Sequence, residues 1–170
     1  MGLAPTTSTT MMLALGDALA VALMSERGFE AADFRDFHPG GKLGSQLAQV
    51  ADLMHGPEAL PLVAPETPMT ETLLVMSAKG FGITAVTRAD GRLHGVVSDG
   101  DLRRNIAHLS EKSAGEIAMR DPVTVTADML AARALAVLNE RKISGPLVVS
   151  EDDQPEGVLH IQDLLRAGVA

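Results

Sequence analysis

The sequence predicts an α/β (α+β) fold built from one unit that occurs twice, with a helical segment in front of the pair. The first observation is a repeated stretch, GVVSDGDLRR at residues 95–104 and GVLHIQDLLR at residues 157–166, in which five of ten positions are identical. The second is that the register continues upstream without a gap, since KGFGITAVT at 79–87 aligns with RKISGPLVV at 141–149. Self-similarity at this spacing indicates supersecondary units that bury their apolar faces against each other.

The chain begins with a helix that is apolar on nearly every side. Residues 10–26, TMMLALGDALAVALMSE, favour a helix, with candidate N-caps at positions 8–10 and Gly28 placed to end it. Gly16 and Asp17 interrupt the apolar run, whereas a membrane span needs about 20 apolar residues. We therefore expect a buried core helix and no membrane contact. Nothing in front of it supplies that core, so we expect a C-terminal part of a longer polypeptide; packing on the repeats or on a second chain is the alternative.

A connector rich in glycine and proline separates this helix from the repeats. The HPGG sequence at residues 38–41 and the glycine at 44 cannot continue a helix. We place the boundary near residue 48, which gives a front segment and connector at 1–48, a first repeat at 49–110 and a second repeat at 111–170.

Each repeat is predicted to consist of a short extended piece, a helix, a β-hairpin and a second helix. In the first repeat these elements are residues 61–63, 70–79, 83–88, 93–97 and 99–107, with an Asp90-Gly91 hairpin turn. In the second they are residues 123–125, 128–141, 146–150, 157–160 and 161–167. Such a unit leaves one apolar sheet face uncovered, and two copies can cover each other.

Composition excludes several classes of function. The formal net charge of −8 disfavours binding of nucleic acid or anionic membrane, because a phosphate backbone is bound mainly by clustered Lys and Arg. The chain has no cysteine, which excludes disulfides and thiolate metal sites and fits a cytoplasmic location. Its five histidines show no metal-ligand spacing, so we expect no metal and no cofactor.

The repeated motif resembles the cystathionine β-synthase (CBS) domain, in which a hairpin strand ends in Gly-x-x-Ser/Thr-x-x-Asp. Gly95, Ser98 and Asp101 fill this pattern in the first repeat. In the second repeat His160 stands where the pattern has Ser or Thr, although the rest of the pattern is kept. CBS domains occur as tandem pairs that bind adenosyl compounds or other nucleotides in the cleft between repeats. The resemblance makes five residues candidates for ligand binding, namely Ser98, Asp101, Arg104, His160 and Asp163.

The front segment resembles the end of the sugar isomerase (SIS) domain of arabinose 5-phosphate isomerases, which join an SIS domain to a C-terminal CBS pair. These enzymes interconvert D-ribulose 5-phosphate and D-arabinose 5-phosphate, a supply step for 3-deoxy-D-manno-octulosonate (Kdo) and hence for the envelope sugars of lipopolysaccharide or capsule. The resemblance implies that His38 of HPGG is catalytic, because an aldose–ketose isomerisation needs acid and base groups. Phe37 departs from the serine expected before HPGG. The other catalytic groups would lie upstream, so we expect this chain alone to be inactive.

Each candidate residue also has a structural interpretation. Ser98 and Asp101 have the spacing of a helix capping box, a role compatible with ligand contact. Arg104 contacts a phosphate or pairs with an acidic neighbour, and we favour the pairing. His160 contacts ligand or holds a hydrogen-bonded interior position. A lone loop histidine such as His38 is more often solvated or locally bonded.

Two functions follow from the resemblance. The first is the C-terminal portion of an arabinose 5-phosphate isomerase, with a CBS pair that senses a nucleotide or nucleotide sugar. CMP-Kdo, the activated form of the pathway product, is the expected effector. The second is a stand-alone CBS adaptor without enzymatic activity that associates with another protein. The apolar front helix favours the first function, and CBS pairs commonly stack, so we expect a homo-oligomer, dimer or tetramer.

Overall fold

The computed structural model describes residues 5–29, Asp33 and residues 47–169. The chain divides into two units, residues 1–44 and 45–170. Phe37, His38 and the rest of the HPGG sequence lie outside the described residues, so the prediction for His38 stays a prediction.

Helix α1 spans Thr6–Glu26 and confirms the predicted front helix, although it begins four residues earlier than expected. The N-cap is Pro5, so the N-cap predicted at positions 8–10 is wrong. Ser8 and Thr9 lie inside the helix, and their hydroxyls donate hydrogen bonds to the Pro5 carbonyl, both at 3.0 Å. Every residue of α1 is exposed, up to 73% at Met12. The burial predicted for this helix is therefore not provided by the described part of the chain.

The first repeat forms a three-stranded sheet and the helices that flank it. Strands β1 (Leu62–Val63), β2 (Ile83–Thr87) and β3 (Leu93–Ser98) lie in that order, β1 parallel and β3 antiparallel to β2. Helix α2 (Met69–Lys79) precedes β2 and helix α3 (Asp99–Asn105) follows β3. A 3₁₀ helix at Ile106–Glu111 continues from α3, where the sequence predicted one longer α-helix.

The second repeat begins with a short helix α4 (Ala114–Ile117) and repeats the same topology. Its strands are β4 (Thr124–Val125), β5 (Leu147–Val149) and β6 (Pro155–Val158), and its helices are α5 (Ala131–Arg141) and α6 (Ile161–Arg166). Helix α5 begins three residues later than predicted. The preceding residues turn to pair with the start of the first repeat, where Val50 donates a hydrogen bond to the Met129 carbonyl at 2.8 Å.

The apolar sheet faces of the two repeats meet, as predicted from the duplication. Their shared core contains Ile83, Ala85 and Val96 from the first sheet and Leu147, Val149 and Val158 from the second. Each repeat has a further core between its sheet and its helices. Burial of these side chains is the main stabilising contribution, at about 25 cal/mol per Å² of apolar surface removed from water.

The segment that leads into each repeat packs on the other repeat. Residues 49–55 pair with the second repeat through the bridges Gln49↔Leu130 and His55↔Val158. Residues 113–119 pair with the first repeat through Pro68↔Ser113 and Val96↔Met119. The fully buried Val50 belongs to the core of the second repeat, whereas Ala114 and Ile117 of α4 belong to that of the first. This reciprocal exchange joins the two repeats and positions the clefts between them.

Candidate functional site

A cavity of about 420 Å³ lies between the two repeats and is lined by both of them. The first repeat lines the cavity with the end of β3 and the start of α3. The second repeat lines it with the turn between α5 and β5 and with the segment after α4. This volume lies in the range of small-molecule sites, which is about 300–1,000 Å³. We call this cavity the first cleft.

Asp101 lies at the first cleft, and its carboxylate is held by Ser98, the N-cap residue of its own helix α3. The Ser98 backbone N–H and hydroxyl donate to Asp101 Oδ2, at 2.9 Å and 2.5 Å, and the Asp101 backbone N–H lies 3.4 Å from Ser98 Oγ. This is the capping box that the spacing predicted. It fixes the carboxylate on a rigid helix start beside the cavity.

The Asp101 carboxyl stays ionised although it is largely buried. Burial raises its pKa, but the hydrogen bonds from Ser98 and then Arg104 lower it by more, so that the pKa falls below its ordinary value. Arg104 Nη2 donates to Asp101 Oδ1 at 2.6 Å, which confirms the predicted pairing with an acidic neighbour. A carboxylate has about four acceptor positions, so Asp101 keeps acceptor capacity for a ligand hydroxyl.

The charges at the first cleft contrast with those of the whole chain. Arg103, Arg104 and Lys142 line the cavity against two acids, Asp99 and Asp101, in a chain whose net charge is −8. Lys142 ends α5 in the left-handed region with φ 54°, a conformation that L-residues other than Asn and Asp seldom adopt. The local excess of positive charge suits an anionic group.

Apolar side chains form the walls of the first cleft. Ile83 and Val96 contribute from the first sheet, and Met119 and Ile143 contribute from the second repeat. An apolar slot beside an ionised carboxylate and several cations can hold a flat ring, a hydroxyl-bearing sugar and an anionic group at once. This combination of surfaces matches the parts of a nucleotide.

The equivalent region on the other side of the pair, the second cleft, contains Asp163 and His160. His55 Nε2 lies 2.9 Å from Asp163 Oδ2, and Arg166 Nη1 lies 3.7 Å from Asp163 Oδ1. The His160 ring caps α6 by accepting a hydrogen bond from the Gln162 backbone N–H at 3.3 Å, and the residue is half-buried rather than interior. The structure thus brings Ser98, Asp101 and Arg104 together and places His160 and Asp163 elsewhere.

Several cleft residues carried no signal in the sequence. Met119, Lys142 and Ile143 are unremarkable in type, and the first cleft receives them only because the leading segment and the α5–β5 turn of the second repeat pack there. His55 is a lone histidine in sequence, and its contact with Asp163 joins residues 108 positions apart.

Within the described ranges, no group of three or more His, Asp or Glu side chains is arranged to hold a metal ion. Helix α1 is long and apolar enough to cross a membrane by length and composition alone, a test that core helices of soluble proteins also pass.

The CBS domain family model matches residues 50–108 and 114–170, and the chain belongs to this family. Its similarity extends beyond the repeats to the front segment. The chain is 46% identical to arabinose 5-phosphate isomerase KdsD of Pseudomonas aeruginosa and 41% identical to KdsD of Yersinia pestis, over 99% of its own length in both cases. It covers 53% and 52% of those proteins, so the chain spans about half the length of the curated relatives it matches.

Solved CBS pairs share the fold. CBSX2, a CBS-pair protein from Arabidopsis thaliana solved in complex with AMP, is 26% identical, with a TM-score of 0.62 over 71% of this chain and 96% of that one. A CBS domain-containing protein from Bacillus anthracis is 25% identical, with a TM-score of 0.63 over 74% of this chain and 96% of that one. These likenesses confirm the predicted tandem CBS fold.

Proposed function

We propose that this chain is the C-terminal regulatory portion of an arabinose 5-phosphate isomerase, and that its CBS pair binds a nucleotide or nucleotide sugar in the first cleft. The observation that carries the ligand proposal is the cavity of about 420 Å³, which combines the Asp101 carboxylate, an excess of cations and apolar walls. The AMP complex of CBSX2 supports it by fold and family.

The match to the isomerases includes the front segment, and this favours a regulatory portion over a stand-alone adaptor. The repeats alone would account for residues 50–170, whereas the similarity to KdsD covers 99% of the chain. The exposed apolar surface of α1 also fits a helix that completes a core outside this chain. In this proposal residues 1–48 end an SIS domain, 49–110 form CBS domain 1 and 111–170 form CBS domain 2.

The proposed parent enzyme converts D-ribulose 5-phosphate to D-arabinose 5-phosphate in the cytoplasm, as a step of Kdo biosynthesis for lipopolysaccharide or capsule. Its sugar phosphate substrate would bind the SIS domain, and His38 would contribute acid or base chemistry there. The chain of 170 residues is proposed to have no turnover by itself. An isomerase assay on this chain tests that directly, with formation of ribulose 5-phosphate as the contradicting result.

CMP-Kdo is the effector that the proposed pathway favours, because Kdo is activated as its CMP sugar. The first cleft can serve each part of such a ligand. Asp101 would accept from one ribose hydroxyl, the cations would contact the phosphate, and Met119 and Ile143 would contact the base.

A thermal-shift titration tests the ligand. We expect CMP-Kdo or CMP to raise the melting temperature of the chain more than AMP or ATP does. A ligand that binds the native state stabilises it by about 2.7 kcal/mol at a hundredfold excess over Kd. This corresponds to a shift of several degrees for a chain of this size. A shift with AMP or ATP and none with the cytidine compounds would make the effector proposal wrong.

Asp101→Ala should remove most of that shift for whichever nucleotide binds, since a charged hydrogen bond contributes about 1.5–3 kcal/mol. The substitution also removes a helix-capping interaction. The control variant must therefore lose a similar cap at a position outside the first cleft. Glu116→Ala provides it, because Glu116 forms an equivalent capping box with Ser113 and does not line the first cleft. An equal loss of shift in both variants would assign the effect to stability and not to the ligand.

The proposed protein is a homo-oligomer. CBS pairs commonly stack through their helices, and in this chain by itself α1 adds exposed apolar side chains such as Met12, which is 73% exposed. We expect sedimentation velocity of the chain at tens of micromolar to give a dimer or larger species. A monomer at that concentration, with α1 folded by circular dichroism, would contradict the assembly.

A further inference from the structure

We infer that the second cleft is closed by the chain's own His55 and Phe81, so that one repeat pair binds a single nucleotide in the first cleft. This inference rests on the proposed nucleotide function of the first cleft and specifies its stoichiometry. It starts from the pseudo-twofold relation between the repeats.

The duplication identifies which residues are equivalent in the two clefts. With an offset of 62 positions, Asp101 corresponds to Asp163 and Ile143 to Phe81. The leading segments are related through their strand partners, because Met119 bridges Val96 and His55 bridges the equivalent residue, Val158. His55 and Phe81 in the second cleft therefore take the places that Met119 and Ile143 hold in the first.

The two pairs of equivalent residues differ in what lies between them. Met119 and Ile143 both line the open cavity of the first cleft. The rings of His55 and Phe81 touch, with centroids 5.0 Å apart and planes tilted by 56°. A base stacked between two groups needs about 7 Å, since carbon atoms in contact lie about 3.5 Å apart. The aromatic pair occupies the space that a base would use.

The acidic positions differ in where their partners come from. The partners of Asp101 are its own cap Ser98 and the next turn of its helix, so the carboxylate faces a cavity with acceptor capacity left. Asp163 is contacted from across the cleft by His55 Nε2 at 2.9 Å, although its side chain is 20% exposed against 9% for Asp101. The imidazole stands where a ribose hydroxyl would donate.

The His55 contact is anchored by its backbone. The His55 N–H donates to the Val158 carbonyl at 2.9 Å, and the Val158 N–H donates to the His55 carbonyl at 3.0 Å. Gly157 permits this approach, because a Cβ there would lie 2.5 Å from the His55 carbonyl oxygen. Met119 and Val96 pair in the same way at the first cleft, so the two clefts differ in the side chains that these backbones carry. Opening the second cleft would require the rings of His55 and Phe81 to move apart.

Isothermal titration of the full 170-residue chain with AMP and with CMP tests the stoichiometry. We expect one equivalent of whichever nucleotide binds, an affinity loss of at least tenfold in Asp101→Ala, and affinity within twofold of wild type in Asp163→Asn. Two equivalents in the wild-type chain, or binding that Asp163→Asn abolishes, would overturn the inference and leave the nucleotide function standing.

A graft tests whether the aromatic pair is what closes the cleft. The double variant His55→Met/Phe81→Ile gives the second cleft the side chains of the first at these two positions, and we expect it to bind two equivalents. A folded double variant that still binds one equivalent would assign the closure to other residues and overturn the inference.

A double-mutant cycle on melting temperature tests the closure without any ligand. If His55 contacts Asp163 in solution, the combined loss in His55→Ala/Asp163→Asn should be smaller than the sum of the two single losses. Additive losses would overturn the inference. Coupled losses together with no binding of AMP or CMP would support the closed cleft and contradict the proposed nucleotide function instead, so the two failures are distinguishable.

Discussion

At the scale of single residues, one position of the repeated motif is Ser98 in the first repeat and His160 in the second, and the two side chains cap their helices differently. Ser98 caps α3 with a hydroxyl that also holds the Asp101 carboxylate in place. His160 caps α6 through its ring, which accepts from the Gln162 backbone N–H. The helix start survives the change from Ser to His, because the cap needs only an acceptor at that point. The carboxylate loses its short hydroxyl partner, and Asp163 is contacted by His55 instead.

Thr84 offers a test of packing near the cleft. It is fully buried in β2, and among the described residues its hydroxyl is a buried side-chain oxygen without a hydrogen-bond partner. Because an unsatisfied buried polar group is destabilising, we expect Thr84→Val to raise the free energy of unfolding by about 1 kcal/mol in urea denaturation. Thr72→Val is the control and should be neutral or destabilising, since the equally buried Thr72 hydroxyl donates to the Pro68 carbonyl at 3.1 Å. Destabilisation by Thr84→Val would show that its hydroxyl is satisfied in solution.

At the scale of elements, the exchange of leading segments explains why the repeated motif begins with glycine. A Cβ at Gly95 would lie 2.5 Å from the Met119 carbonyl oxygen, and a Cβ at Gly157 would lie 2.5 Å from that of His55. Both glycines therefore admit the backbone of the other repeat's leading segment. The spacing is too short for any side chain.

Gly95→Ala should destabilise the chain by about 1–3 kcal/mol, the usual cost of overpacking, because the Met119 segment must move away from β3. The same displacement would shift Met119 in the first cleft, so nucleotide affinity should fall together with stability. Gly56→Ala is the control, since its Cβ would lie at an ordinary 3.7 Å from Glu58 Oε1. Chemical denaturation and isothermal titration measure the two effects. Equal stability of both variants would show that the leading segment does not pack on Gly95 in solution.

The secondary-structure elements show which parts of the fold could be predicted from the sequence. The hairpins and helices were predicted from local periodicity, and the paired sheets followed from the duplication, because both signals lie in the order of apolar residues. The late start of α5 could not be predicted, since residues before Ala131 turn away to pair with residues 48–51 of the other leading segment. The exchange is made largely by backbone hydrogen bonds, which leave little pattern in the order of side chains. Its trace in the sequence is the pair Gly95 and Gly157, whose role the structure reveals.

At the scale of the whole molecule, ligand sensing and catalysis are proposed for separate parts of the chain. The first cleft lies within residues 45–170, and His38 lies in the connector that precedes them. The candidate site could be predicted in part, because Ser98, Asp101 and Arg104 belong to the repeated motif. The cleft also needs Met119 and Ile143, which reach it through the reciprocal packing of the repeats. A catalytic group outside that fold should be separable from it by mutation.

His38→Ala in the full-length protein tests that separation. An unperturbed histidine titrates near pH 6.5, which suits acid or base chemistry near neutrality. If His38 is catalytic, kcat for forming ribulose 5-phosphate from arabinose 5-phosphate should fall by about 10² to 10⁴, the usual contribution of one such group. Melting temperature and nucleotide binding should stay unchanged. His108→Ala is the control and should keep full activity, since the His108 side chain is 68% exposed and its ion-pair partner is the equally exposed Glu111. Activity of His38→Ala within threefold of wild type would remove His38 from catalysis, and a lowered melting temperature with normal kcat would make its role structural.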